Sequence, residues 1–276
     1  MALLAKGKKA KRKNALGVLF MLTTVALIGA ALAAYFYAVF TQEKLDARNC
    51  PERGPLGVTV IFIDATDPFT PRQSVEITKG IQGVVNNLRE GEEVNVYTLR
   101  PGGEKIRTPD FSACKPREHG SFLYDNVRAV AERFRIDFKS KLEVALLAAI
   151  EAKSAKESPI IEALADIGVG AFRSVPASTP KRLVIVSDLL QYSKEFTQYQ
   201  TPSPAIEQFR KLPASITLMP RLEGVKTCFV YLDRERDRQF QGTRHVEFWM
   251  ALIAQAGAER ASCEPLVQAG SYLIRI

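Results

Sequence analysis

The chain has 276 residues, 46% of them apolar and 25% charged, with a formal net charge of +8 and a pI near 9.3. That length allows one large domain or two small ones, and the composition is that of an ordinary folded protein. Six of the 38 basic residues fall within residues 1–14, so the remainder holds 32 bases against 30 acids, a net charge of +2. A nucleic-acid-binding domain normally shows a stronger basic excess than this, and nucleic acid is not an expected partner.

Residues 1–14, MALLAKGKKAKRKN, form a basic tail with Lys6, Lys8, Lys9, Lys11, Arg12 and Lys13 and no acid. Residues 15–40, ALGVLFMLTTVALIGAALAAYFYAVF, carry no charge at all. As a helix this run is about 39 Å long at 1.5 Å per residue, ample for the roughly 30 Å hydrocarbon core of a bilayer. Tyr35 and Tyr37 sit near one end, where aromatic rings suit the headgroup zone. A cleaved signal peptide would have a shorter apolar region; ALAAYF offers small residues for cleavage, but the length favours an uncleaved transmembrane helix. The positive-inside rule then gives a single-pass protein of a bacterial inner membrane, with residues 1–14 cytoplasmic and the rest periplasmic or otherwise extracytoplasmic.

Residues 41–56, TQEKLDARNCPERGPL, read as a polar linker, and residues 57–276 as one exported domain. Cys50, Cys114, Cys228 and Cys263 all follow the anchor. An even number of cysteines in an exported compartment favours disulfides. Four cysteines allow three pairings and the sequence does not choose between them; we favour Cys50–Cys114 with Cys228–Cys263. No CxxC or Cys/His spacing suggests zinc. In the cytosol the same residues would read as four buried thiols.

From Gly57 onward, apolar strands alternate with helical stretches. GVTVIFID (57–64) is a near-continuous apolar run, as expected of a strand buried on both faces. Thr70 and Pro71 signal a helix start and Gly91 a stop. EEVNVYTLR (92–100) alternates as a strand, and PGGEKIRTPDFSACKPREHGS reads as a long connection shaped as an irregular hairpin. Residues 121–152 and 159–172 read as helices, the second with Ser158 as its cap. KRLVIVSD (181–188) and GVKTCFVYLD (224–233) are strands, RHVEFWMALIAQAG (244–257) is an amphipathic helix and SYLIRI (271–276) is a final strand. The order implies an α/β fold, a doubly wound and mostly parallel sheet flanked by helices and preceded by one transmembrane helix. The charge run DRERDRQ (233–239) reads as a solvated loop.

In such a sheet, ligands bind outside the carboxyl ends of strands near the point where strand order reverses. Asp64, Thr66 and Asp67 end the first strand, Ser158 opens a helix, and Asp188 ends the strand LVIVSD. Two carboxylates with hydroxyls form an all-oxygen set suited to Mg²⁺. The plainer reading makes Asp64 and Asp67 turn caps, Ser158 an N-cap and Asp188 a turn acceptor. His119 and His245 are isolated and read as structural or surface groups, and Trp249 among Phe248, Met250 and Leu252 reads as core.

These residues resemble the von Willebrand factor type A (vWA) domain, whose metal-ion-dependent adhesion site follows the first strand in the pattern D-x-S-x-S. Asp64 matches the leading Asp and Thr66 the first Ser, whereas Pro68 stands at the second Ser and Asp67 lies beside it. Ser158 in ESPIIEAL resembles the loop Thr of that family, and Asp188 in VSDLLQYS its final Asp. FSACKP, SPIIEAL, VSDLLQYS and FWMALIAQAGA also resemble a group of bacterial membrane-anchored relatives of this domain. The resemblance covers about residues 57–276. It implies a vWA/Rossmann-like fold and a non-catalytic protein-binding module, in which Asp64, Thr66, Asp67, Ser158 and Asp188 hold Mg²⁺ and a partner's Asp or Glu closes the ion's shell. A chain that keeps the fold without the ion, as a structural scaffold of a membrane complex, is the alternative that Pro68 raises.

Two enzyme readings compete. VIFIDATDPFT resembles the first motif of haloacid-dehalogenase-type phosphatases, with Ser187 as a phosphate-binding hydroxyl and Asp233 with Asp237 as the acidic metal motif. Asp64 would then be a Mg²⁺-assisted nucleophile. That family's phosphatases need an acid where Thr66 stands, and a flap where a helix starts at Thr70. A Ser/His/Asp hydrolase lacks its G-x-S-x-G elbow, and GGEK (102–105) lacks the Walker A spacing.

Overall fold

The computed structural model describes residues 2–41, 43–102, 106–122, 125–151 and 154–261, with side chains from residue 17 onward. Cys263 and the strand expected at 271–276 lie outside the described residues. Helix α1 (Ala2–Phe40) contains the segment Gly17–Phe40, which is long and apolar enough to cross a membrane. Then follow β1 (Gly57–Asp64), α2 (Pro71–Asn86), β2 (Glu92–Leu99), β3 (Phe111–Cys114), α3 (Val127–Glu132), α4 (Lys141–Ile150), α5 (Ile160–Ile167) and β4 (Lys181–Ser187). The described residues close with α6 (Ile206–Arg210), α7 (Ser215–Leu218), β5 (Val225–Tyr231), α8 (Thr243–Gln255) and β6 (Glu259–Arg260).

Among the described residues the sheet has six strands in the order β3-β2-β1-β4-β5-β6, parallel throughout except that β3 runs antiparallel to β2. The expected doubly wound α/β architecture is therefore present, and the irregular hairpin after β2 is the β2–β3 pair. Strand order reverses between β1 and β4, and there the carboxyl ends of two neighbouring strands open a crevice. Register fixes which residues meet at that crevice. Ile63 lies opposite Val186, so Asp64 falls beside Ser187.

β1 is apolar along its length because both its faces are covered. Val58, Val60 and Phe62 join a core with Ile160, Leu164, Phe209, Phe248 and Trp249 beneath α5, α6 and α8. Ile61 and Ile63 join another with Ile77, Ile81, Val84, Phe138, Leu142 and Leu146 beneath α2 and α4. Trp249 is fully buried, as expected of a core residue.

Local signals explain most boundaries. Thr70 caps α2 by accepting from the Gln73 amide, and Gln73 reaches back to the Thr70 amide, a complete capping box. The helix ends at Asn87 rather than running toward Gly91, where Lys115 Nζ donates to the carbonyls of Asn86 (2.8 Å) and Leu88 (3.0 Å). The helix expected over 121–152 is α3 and α4 joined by a π-helical stretch, Arg133–Ser140. The one expected over 159–172 is α5 followed by a π-helical turn, Gly168–Phe172. Gly168 is needed there, because a Cβ would lie 2.7 Å from the Arg221 carbonyl oxygen. Cys50 and Cys114 form a disulfide with Cα atoms 4.8 Å apart, tying the linker to edge strand β3. Cys228 is also disulfide-bonded.

Candidate functional site

Asp64, Thr66, Ser158 and Asp188, drawn from distant parts of the sequence, meet at the switch point, and all four are buried. Asp64 sits inside a ring of hydroxyls. Its Oδ1 accepts from Thr66 Oγ1 at 2.6 Å and from the Thr66 amide at 3.2 Å. Its Oδ2 accepts from Ser187 Oγ at 2.7 Å and lies 3.3 Å from Ser158 Oγ. Ser158 Oγ is also 3.0 Å from Thr66 Oγ1. Burial and the neighbouring charge of Asp188 push the Asp64 carboxyl up to about 6, against the pull of the Thr66 and Ser187 hydroxyls.

Ser158 was expected to cap α5, and it does not. Its hydroxyl turns into the site, and its backbone pairs with Tyr192 at 2.7 and 2.9 Å. The cap comes instead from Gln191, whose Oε1 accepts from the Ile161 amide at 2.9 Å. Gln191 also donates to Glu162 and Ser193, which fixes the loop after β4 against the helix start.

Asp188 serves as a turn acceptor and more. Oδ1 accepts from the Leu190 amide at 3.0 Å. Oδ2 is paired with Arg234 Nε at 2.8 Å, with side-chain exposures of 4% and 13%. Arg234 Nη1 donates to the Pro68 carbonyl and Nη2 lies 3.4 Å from the Asp67 carbonyl. The guanidinium stands 5.8 Å from the Phe69 ring centroid. Gln241 braces it, accepting from the Arg234 amide at 2.7 Å while donating to the carbonyls of Asp188 and Leu232. The run DRERDRQ is thus not only a solvated loop, because Arg234 within it ties together the loops that follow β1, β4 and β5. Sequence reasoning missed this residue. The available signal was an arginine three positions beyond the end of the strand that neighbours β4.

The turn after Asp188 is tightly held. Leu189 adopts φ +60°. Its amide donates to Ser187 Oγ at 2.8 Å, and its carbonyl accepts from Trp249 Nε1 at 2.8 Å. His245, fully buried, lies 2.9 Å from the same carbonyl through Nε2 and 2.7 Å from the Tyr231 hydroxyl through Nδ1. Burial holds the His245 imidazole below its usual range, so it serves as a neutral structural group, as expected. His119 is exposed.

Asp67 is half-buried at the mouth, its carboxyl raised by burial and by Asp188. Beyond it lies an open hollow of about 580 Å³ lined by Thr66, Asp67, Lys156, Ser158, Tyr192 and Tyr199. A resident Mg²⁺ would need these oxygens aimed at one point. Asp64, Thr66 and Ser158 do converge, but Asp188 faces a guanidinium and Pro68 brings no hydroxyl. The set as arranged does not fit a resident divalent ion. Among the described residues, no three His, Cys, Asp or Glu side chains gather as metal ligands.

Of the phosphatase residues, Ser187 Oγ does meet Asp64 Oδ2 at 2.7 Å, whereas Thr66 stands where that chemistry needs an acid and Asp233 is paired with Arg238 at 2.6 Å.

The fold is a doubly wound, mostly parallel α/β domain with a buried polar cluster at its switch point, behind a helix long and apolar enough to span a membrane. No protein-family model matches the chain, and no curated protein matches it. Among solved structures, it is similar to an aerotolerance-related membrane protein from Bacteroides fragilis carrying multiple mutations to serine, at 11% identity and TM-score 0.34, over 77% of this chain and 98% of that one. It is also similar to proximal thread matrix protein 1 of the mussel byssus, at 14% identity and TM-score 0.38, over 78% of this chain and 44% of that one. The chain thus spans less than half the length of the mussel protein.

Proposed function

We propose that the protein is a membrane-anchored, non-catalytic binding module whose recognition end is the carboxyl edge of the sheet. One observation carries this: the polar groups at the switch point are engaged with one another. Asp64 is held by hydroxyls on both oxygens and Asp188 by Arg234, so neither is poised as a nucleophile or base. What the site offers outward is the hollow of Lys156, Tyr192 and Tyr199, a surface that suits a protein partner. Anchoring rests on Gly17–Phe40. The basic tail supports a cytoplasmic N-terminus, and the Cys50–Cys114 disulfide supports a domain in an oxidising, periplasmic space.

A second reading keeps Mg²⁺ on Asp64, Thr66 and Ser158 with an acidic side chain of the partner completing the shell. The convergence of those three side chains favours it, and it requires Arg234 to leave Asp188.

Photocrosslinking in native membranes tests the recognition end. A photoreactive residue in place of Lys156 or Tyr192 should give one discrete protein adduct, whereas one in place of Lys226, at the opposite end of the sheet, should give none. Adducts from Lys226 alone would move the recognition surface elsewhere. Turnover of an aryl phosphate that is lost in Asp64→Asn would replace the binding reading with the phosphatase.

A further inference from the structure

We propose that Arg234 is the resident cation of this site: its guanidinium takes the electrostatic place of a divalent ion between Asp188 and the loop after β1. The inference shares only its location with the recognition end proposed above, and the two fail separately, one by ion titration and the other by crosslinking.

The switch point gathers two buried carboxylates, Asp64 and Asp188, close enough for the charge on one to disfavour ionisation of the other. Such a pair needs a counter-charge. A divalent ion would supply it by binding oxygens from the β1 and β4 loops together. Arg234 does the same from a third loop. One planar group donates to the Asp188 carboxylate through Nε and to the Pro68 and Asp67 carbonyls through its two terminal nitrogens. Carbonyl and carboxylate oxygens are the donors a hard cation would select, and here they face a guanidinium instead. Phe69 packs beneath the charge and Gln241 fixes its backbone, so the arginine is built in rather than passing through. Arginine suits the role because it stays charged when buried, and its fork reaches several acceptors at once.

The electrostatics also account for Pro68. Where the adhesion-site pattern has a hydroxyl to offer an ion, this chain uses the backbone carbonyl of the same residue to receive Arg234. One substitution removes an ion ligand and the other fills the space, and both point to a site that works without metal.

The test uses the full-length protein in detergent, with Mg²⁺, Mn²⁺ and EDTA as probes. Melting temperature and Mn²⁺ uptake, read from the free-Mn²⁺ EPR signal, are followed for each form. The wild type should melt at the same temperature in millimolar Mg²⁺ as in EDTA and take up no Mn²⁺. Arg234→Gln should melt lower in EDTA, because it leaves Asp188 buried beside Asp64 without a counter-charge. It should gain uptake of about one Mn²⁺ per chain and a rise of several degrees with either ion. Adding Asp188→Asn should abolish the gain. Arg234→Lys keeps the charge but loses the fork, so it should be less stable yet still indifferent to ions. Uptake of one ion by the wild type or by Arg234→Lys overturns the proposal, and these arms decide even if Arg234→Gln does not fold. A folded Arg234→Gln that takes up no ion also overturns it.

Discussion

Asp64 is held at a cost that depends on pH. In an unfolded chain an aspartate titrates near 4, whereas here burial and Asp188 carry it to about 6. The folded state therefore keeps a proton where the unfolded state has lost it. Stability from this group is greatest below about pH 4 and falls as pH rises through 4 to 6, by on the order of 2 kcal/mol. Asp64→Asn removes the slope. Urea unfolding at pH 4.5 and pH 7 should show the wild type losing on the order of 2 kcal/mol more than the variant over that interval. Equal losses would mean that Asp64 ionises as an exposed aspartate does. At this scale the sequence was informative wherever a residue's neighbours are local or follow from strand ends. Asp64, Thr66, Ser158 and Asp188 could all be read that way. Arg234 could not, because an alternating charge run looks the same whether its arginines meet water or a buried carboxylate. Ser187 was legible only as the phosphate-binding hydroxyl of a rival enzyme. Its partnership with Asp64 depends on the β1–β4 register, which no short window encodes.

Among the elements, the turn that ends β4 positions Asp188, and it does so in a conformation that leucine disfavours. A non-glycine residue at φ +60° carries strain of roughly 1 kcal/mol. The surrounding bonds from Ser187, Trp249 and His245 hold it there. Leu189 is also fully buried, so truncating it removes packing worth several times the strain. Both Leu189→Ala and Leu189→Gly should therefore destabilise the protein. Their order should be the reverse of the usual one, with Gly more stable than Ala by about 0.5–1 kcal/mol in chemical denaturation. The usual order would show that the turn relaxes once the side chain is gone. Strands were the most legible elements, because β1 and β4 are covered on both faces and so read as unbroken apolar runs. Thr70 followed by Pro71 made the start of α2 equally plain. The π-helical stretches were not visible, since each runs on from an α-helix without a break in the helical chain. The cap of α5 was misplaced because Ser158 has the right chemistry for it. The actual cap, Gln191, comes from a loop 30 residues away.

Across the whole molecule, the Cys50–Cys114 bond closes a loop of 64 residues through β1, α2 and β2. Loop-closure entropy sets its contribution at up to about 4 kcal/mol. The double variant Cys50→Ser/Cys114→Ser should lose a large part of that in urea unfolding while the switch-point end of the sheet, far along the strands, keeps its partner crosslink. Loss of the crosslink at temperatures where the variant is folded would show that the two ends of the sheet are coupled. The bond also decides how a pull is shared. Between Phe40 and Gly57 the polypeptide is stitched to β3 by the disulfide and by the Cys114 amide donating to the Arg48 carbonyl, and to its neighbour β2 by Arg48 reaching Glu93. Tension from an anchored helix toward a captured partner would enter the domain sideways, through its outermost strand. β1, which bears Asp64 and lies two strands inward, would be relieved of that load, so the grip at its far tip could survive a tug that would otherwise draw it out lengthwise.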